Sequence, residues 1–187
     1  TLSDDSAKTT ISSGFASAVY NNEKGFNLES GIRFNQHSRF GNNMTYTINP
    51  SYIIAEKFKI AFNLSSAFTA PTLYQLYDGY SGNRALNPET SVSTEVSLQY
   101  VGNKQFNARI TGFARKLHNG IDYDYINNRY FNNAIQKNRG LELEAGYAAG
   151  KWNIKLNHTL LKGEVTTTNF VYNASTWSYT AKGDTTY

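Results

Sequence analysis

The residues able to do covalent or metal chemistry are few and badly placed for it. His37, His118 and His158 lie far apart, and none falls in a metal-binding spacing such as His-Glu-x-x-His. Serines are abundant, but no G-x-S-x-G nucleophile elbow occurs, and the absence of cysteine removes thiol chemistry, disulfides and Cys-based metal sites. Asp122-Tyr123-Asp124 sets two carboxylates on one face of an extended segment, as an acid/base pair or a Ca²⁺ site would require, yet its polar surroundings read more simply as a solvated loop. Asn-x-Ser/Thr triplets at Asn43, Asn63, Asn157 and Asn173 follow from the abundance of asparagine and signal no glycosylation. The sequence points to no enzyme, no metal and no cofactor. What it concentrates instead is contact chemistry: Tyr74, Gln75, Tyr77, Tyr80, Asn83 and Arg84 in one polar stretch, and Tyr123, Tyr125, Asn127, Asn128, Arg129 and Tyr130 in a second. Rings and amides give contact area and hydrogen bonding at modest entropic cost, the chemistry of a loop-built recognition surface.

Strands must carry these stretches. Residues 58 to 68 place Phe58, Ile60, Phe62, Leu64 and Phe68 on one face and polar or small residues on the other, the period of 2 expected of a strand. Pro71 ends that ladder, Thr72 to Tyr77 suit a short helical turn, and Asp78-Gly79, Ser81-Gly82-Asn83 and Asn87-Pro88 are turn formers. The pattern resumes at Glu89, so about 20 residues interrupt it, and Ser81 is expected at an exposed tip.

The remaining strands are predicted over 9–20, with Ile11, Phe15 and Val19 on one face, and over 26–36, with Phe26, Leu28, Ile32 and Phe34 opposite Glu29 and Arg33. A polar connection from Gln36 to Asn43 leads to 44–54, where Pro50 weakens the ladder. Beyond the long stretch come 89–101, a hairpin turn at Gly102-Asn103-Lys104, and 106–117. A second long connection runs from His118 to about Asn138 and holds its own hairpin around Asn127-Asn128. Leu141, Leu143, Ala145 and Tyr147 then pair, through Ala149-Gly150, with Trp152, Ile154 and Leu156, and Glu164 to Tyr187 is polar and aperiodic.

Two regularities decide the class. Connections alternate short, near 23, 56, 103 and 149, with long, near 40, 78, 128 and 175. Rings flank each short turn as Tyr20/Phe26, Tyr52/Phe58, Tyr100/Phe106 and Tyr147/Trp152, all but Tyr20 in phase with the apolar face. One such hairpin would be ordinary in a soluble sandwich. Four in succession, with Glu29, Arg33, Glu95, Arg109, Arg115, Glu142 and Glu144 on the other face, describe a lipid-facing outside, an aromatic girdle and a wet lumen. Composition agrees: 14 Tyr, 11 Phe and 2 Trp with 3 Pro fit antiparallel β structure, and the net charge of +4 is too dispersed for nucleic acid. No apolar run reaches a membrane helix, and a chain opening on Thr without a signal sequence is expected to be part of a longer one.

Phe68-Thr69-Ala70-Pro71 through Leu76-Tyr77, then Gly82-Asn83, Leu86, Pro88-Glu89, Ser91 and Glu95, resembles the F-x-A-P, L-x-x-L-Y, G-N-x-x-L-x-P-E-x-S signature of TonB-dependent outer-membrane receptors. Asn119-Gly120-Ile121-Asp122-Tyr123, Tyr130-Phe131-Asn132 and Gly140-Leu141-Glu142-Leu143-Glu144-Ala145 resemble a later segment that returns through G-V-E-L-E, in wording most similar to the vitamin B12 (cobalamin) transporter branch. The resemblance spans about residues 26 to 162. It implies an all-β fold: about eight antiparallel strands from the C-terminal half of a 22-stranded transmembrane barrel in a Gram-negative outer membrane, with short periplasmic turns and long extracellular loops. It also implies a plug domain in the lumen and a TonB contact, both outside this sequence. Residues 1–187 would then be part of one barrel domain whose partners are outer-membrane lipid, plug, TonB and a small nutrient, with no nucleic acid.

The rival readings are a complete eight-stranded adhesive or structural barrel and a soluble carbohydrate-binding β sandwich. For the ligand, loop charge discriminates. Residues 69–88 hold Asp78 and Arg84, 118–136 hold Asp122, Asp124 and Arg129, and 164–187 hold Glu164, Lys182 and Asp184, so the three loops are nearly neutral. Sites for anionic ferric siderophores are expected to gather Arg and Lys. Tyr, Asn and Gln suit a large neutral ligand rich in amides, which ranks cobalamin first and a ferric siderophore or haem second.

Overall fold

Alternating side chains become a single antiparallel meander in the computed structural model, which describes residues 7–100, 105–133, 135–173 and 178–186. The strands are β1 (Ile11–Asn21), β2 (Phe26–His37), β3 (Gly41–Ile54), β4 (Phe58–Thr69), β5 (Glu89–Tyr100), β6 (Phe106–His118), β7 (Ile121–Asp124), β8 (Arg129–Asn132), β9 (Ile135–Ala149), β10 (Trp152–Asn173) and β11 (Ser178–Thr186). One helix, α1 (Leu73–Tyr77), lies between β4 and β5. Among the described residues nine strands form one sheet in chain order, except that the separate β7-β8 hairpin is inserted between the neighbours β6 and β9.

Register fixes the two faces, because directly paired residues of an antiparallel ladder point the same way. One cross-strand row reads Phe26, Tyr52, Ile60, Leu98, Ile110, Leu143 and His158. The row one residue away, on the other face, reads Asn27, Ser51, Ala61, Ser97, Thr111, Glu142 and Thr159. On that polar face Arg109 lies 3.7 Å from Glu144 and donates to Gln99 Oε1 at 3.0 Å. Both charged groups are about half exposed, so the pair contributes at most about 1 kcal/mol.

The apolar face is uncovered. Leu76 and Leu86 are the buried hydrophobic residues among those described, and Ile60, Leu98, Ile110 and Leu143 are each more than 40% exposed. The accessible area is 13104 Å², against about 9,000 Å² for a compact soluble monomer of this mass. The sheet therefore lacks the layer that would bury its apolar face. Rings gather at one end of that face, with centroids 6.3 Å apart for Tyr20 and Phe26, 5.2 Å for Phe58 and Tyr100, and 6.0 Å for Tyr100 and Phe106.

Four expectations are corrected. Tyr20 pairs with Leu28 and so joins the girdle, whereas Ile11, Phe15 and Val19 pair with His37, Arg33 and Glu29 on the polar face. The apolar spacing of β1 marks the lumenal side, so it misleads about which face meets lipid. The connection from Gln36 to Asn43 shrinks to three residues, because buried His37 caps it: its Nδ1 accepts from the Arg39 and Phe40 N–H groups, leaving Nε2–H to donate to Thr9 Oγ1 at 3.0 Å. The aperiodic tail is strand, with β10 continuing to Asn173 and β11 pairing back on it across a bulge at Asn169/Phe170. β11 is thus the ninth strand of the sheet where about eight were expected. Ser81 is buried, 4% exposed, because its N–H and hydroxyl are drawn onto Asp78. The turn expected at Gly102-Asn103-Lys104 lies outside the described residues. Pro50 is accommodated as foreseen: β3-β4 pairing lapses at Asn49 and Pro50 and resumes in the same register.

Candidate functional site

The long connection after β4 is an ordered object, starting from its sequence. Pro71 stops the strand and Thr72 caps α1 through a capping box, its Oγ1 accepting from the Gln75 N–H while Gln75 Oε1 accepts from the Thr72 N–H. Asp78 then closes the next turn, one carboxylate oxygen accepting from the Tyr80 and Ser81 N–H groups and the Ser81 hydroxyl. These bonds, the Ser81 N–H first, hold the Asp78 carboxyl below its ordinary range. Gly82 is required by proximity, since a Cβ there would stand 2.4 Å from the Asp78 carbonyl oxygen and 2.6 Å from its nitrogen.

The β7-β8 hairpin builds its own turn the same way. Asp124 accepts from the Ile126 and Asn127 N–H groups and from Asn127 Nδ2, whose side-chain bond leads in lowering its pKa. Asp122 accepts from the Tyr123 N–H and from Asn133 Nδ2. Both carboxylates thus serve the turns, as the solvated-loop reading holds.

The two connections are fastened together. Tyr130 N–H donates to the Ser81 carbonyl at 3.1 Å, and Asn83 Nδ2 donates to the Tyr130 carbonyl at 2.7 Å. Asn132 grips Asn87 from both sides, accepting from its N–H at 2.8 Å and donating to its carbonyl at 3.0 Å, and also donates to the Asn119 carbonyl at 2.6 Å. Glu89 Oε1 accepts from the Ile121 N–H at 2.7 Å.

Of the candidates named from sequence, this clasp gathers Tyr74, Tyr123, Tyr125 and Tyr130 into one ring cluster, with centroids 6.3 Å apart for Tyr74 and Tyr130 and 5.0 Å for Tyr123 with each of Tyr125 and Tyr130. Desolvation, then the neighbouring Tyr80, Tyr130, Tyr74 and Asp78, push the Tyr123 phenol up, so it stays a neutral donor. Tyr80 and Tyr125 are 77% and 84% exposed, giving the cluster an open outer edge. Gln75 and Asn83 work inside the clasp: Gln75 caps α1, and Asn83 Oδ1 accepts from Arg129 Nη2 at 3.3 Å.

Tyr77 and Arg84 stand in a second group, which sequence reasoning left incomplete. Arg39, from the β2-β3 turn, donates to the Tyr77 hydroxyl and the Arg84 carbonyl. The guanidinium carbons of Arg39 and Arg84 lie 5.5 and 5.0 Å from the Tyr77 ring centre. Nothing in the periodicity could connect residue 39 to residue 84. Asn119 and Asn132 were visible as motif letters, but their role as fasteners needs the fold.

An uncovered apolar face with an aromatic girdle, a charged opposite face and ordered loops at the far end define a segment of a transmembrane β-barrel. The family comparison agrees over the whole chain. This chain belongs to the family described as TonB dependent receptor-like, beta-barrel, whose model matches residues 1–187. It is similar to the vitamin B12 transporter BtuB of Vibrio cholerae, 41% identical over 88 residues, which covers 46% of this chain and 14% of that protein. Among solved structures it is similar to the siderophore receptor PirA of Pseudomonas aeruginosa, with a TM-score of 0.73, 27% identity, and coverage of 86% of this chain and 33% of that one. It shares its fold with the ferric enterobactin receptor PfeA of the same organism, at a TM-score of 0.69 and 21% identity over 84% of this chain and 30% of that one. The chain thus spans about a third of these solved receptors. Proteins of the family are receptors and transporters rather than enzymes, and this barrel sits in the outer membrane of a Gram-negative bacterium.

Proposed function

We propose that the protein containing this chain takes up a large, nearly neutral, amide-rich nutrient, cobalamin first, across the outer membrane, energised by TonB and gated by a plug domain within the lumen. The observation that carries the reading is the ring cluster of Tyr74, Tyr123, Tyr125 and Tyr130, open at Tyr80 and Tyr125 and with its nearby carboxylates tied into turns. Such a surface offers π faces and neutral donors to a bulky ligand and little field to an anion. The 41% identity to BtuB over 88 residues supports the same ligand.

A second reading, a ferric siderophore, is favoured by a different group. Arg39 and Arg84 crowd one tyrosine, Tyr77, and guanidinium pairs suit catecholate or carboxylate oxygens. Titration of the full-length receptor with cyanocobalamin and with a ferric siderophore separates the two. We expect cyanocobalamin to bind and Tyr123→Ala or Tyr130→Ala to weaken it by roughly tenfold, a typical loss for a central aromatic contact. Tight siderophore binding that is lost in Arg84→Gln, with no affinity for cyanocobalamin, would reverse the ranking.

A further inference from the structure

Above the apolar rows, the lipid-facing side of β6, β9 and β10 changes character. Gly112, Leu141 and Leu160 form the last apolar row. The next row on that face is Ala114, Arg139 and Lys162, and the one beyond is Lys116, Lys137 and Glu164. Arg139 thus stands directly opposite Lys162, and Lys116 directly opposite Lys137. Directly opposed like charges destabilise a sheet, so two such pairs side by side need compensation. Glu164 supplies part of it, lying 3.8 Å from Arg139 and 3.4 Å from Lys162. Those two cations are 67% and 65% exposed, and the group borders a depression of about 410 Å³ floored by Val92, Thr94 and Ala114.

The height of this cluster can be counted from the girdle. Lys116 is ten residues along its strand from Phe106, Lys137 ten from Tyr147, and Lys162 ten from Trp152. At about 3.3 Å per residue and a tilt of roughly 40°, ten residues climb about 25 Å, the height of the apolar band of such a barrel. Lys116 and Lys137 therefore reach the outer leaflet surface, with Arg139 and Lys162 one row nearer the girdle, all four facing lipid rather than lumen. Lysine and arginine at a membrane surface attract anionic headgroups, each by about fivefold in affinity.

We propose that Lys116, Lys137, Arg139 and Lys162 form a binding site for a multiply phosphorylated lipid headgroup of the outer leaflet, with Glu164 weakening and orienting the contact. The site needs the barrel's place in the outer membrane but is independent of which nutrient passes through it. Two rows about 7 Å apart on adjacent strands match separate phosphates on one headgroup better than a single phosphate.

The test uses the full-length receptor in nanodiscs of zwitterionic lipid titrated with lipopolysaccharide, with inorganic phosphate as a parallel probe and retained lipid counted by native mass spectrometry. Lys116→Gln/Lys137→Gln should bind lipopolysaccharide about 25-fold more weakly, and Lys151→Gln, in the turn at the girdle end, should match wild type. Glu164→Gln should bind about fivefold more tightly, a gain that misfolding cannot imitate. Unchanged affinity in both the double variant and Glu164→Gln would overturn the proposal. Inorganic phosphate binding tightly while lipopolysaccharide does not would also overturn it.

Discussion

Removing the Asn132 side chain should unfasten the two long connections without unfolding the barrel. Asn132→Ala deletes three hydrogen bonds, to the Asn87 N–H, the Asn87 carbonyl and the Asn119 carbonyl. At about 1 kcal/mol each, discounted because Asn132 is only half buried, the loss comes to about 2 kcal/mol. The clasp opens as a local unit, so this loss appears in local opening and scarcely in the melting of a long interstrand ladder. At tenfold per 1.4 kcal/mol, amide exchange at Asn87, Ile121 and Tyr130 should quicken by roughly 30-fold, since the last two N–H groups cross the same junction to Glu89 and Ser81. Hydrogen exchange read by mass spectrometry on the full receptor in detergent measures this directly. Asn132→Asp is a sharper form, because it sets a second acceptor where Nδ2 faced two carbonyls, and it should open at least as readily as Ala. If Ile121 and Tyr130 kept wild-type protection in both variants while Asn87 alone exchanged faster, Asn132 would be a local turn residue and the fastening argument would fail.

Three further outcomes follow from the geometry. Leu143→Arg, on the lipid-facing row with Ile110 and Leu98, should lower stability by about 2 to 4 kcal/mol and reduce assembled receptor in membrane fractions, while Glu142→Gln on the lumenal row should leave assembly near normal. Gly140→Ala forces a Cβ to 2.1 Å from the Leu160 carbonyl oxygen and 2.7 Å from the Phe113 ring, which should destabilise by about 1 to 3 kcal/mol; urea unfolding checks it, and Phe113→Ala should rescue it only partly because the backbone clash remains. Asp78 and Asp124 have folded pKa values below their unfolded ones, so their support is present above the ordinary Asp range and is lost as pH falls through the lowered folded values. Protection at Ser81 and Asn127, taken relative to the intrinsic exchange rate at each pH, should therefore fall on acidification below about pH 4 and stay flat between pH 6 and 8.

The fold was legible because strand alternation, girdle rings and turn formers agree with one another along most of the chain. It failed to read through where that agreement breaks. In β1 small residues such as Ala16 and Gly14 occupy the lipid-facing positions opposite Ile32 and Phe34, so the larger side chains of the strand point the other way. From Glu164 on in β10, and in β11, the chain is polar and threonine-rich and carries β structure without apolar alternation. The candidate tyrosines were found by crowding alone, and the fold does assemble four of them. The family signature carried no role in the sequence, and the fold supplies one: Gly82, Asn83, Glu89 and Asn132 build and fasten the loops, and Gly140 makes room for Phe113. Contacts such as Arg39 with Arg84, 45 residues apart, arise only when the sheet sets the β2-β3 turn beside the α1 connection.

The clasp also has a mechanical side. The connection after β4 and the hairpin after β6 meet above strands that already lie next to one another, so their junction bridges the β4/β5, β5/β6 and β6/β9 seams at a single end. A force pulling the hairpin outward is then shared by four strands through shear of their ladders, rather than peeling β6 from β9 one hydrogen bond at a time. That arc of the rim is stiff. The neighbouring arc at β2 and β3, closed by a three-residue turn, joins the α1 connection through the Arg39 side chain, on the Tyr77 hydroxyl and the Arg84 carbonyl, so load reaches it through one flexible guanidinium arm and the wall should yield there before it yields at the clasp.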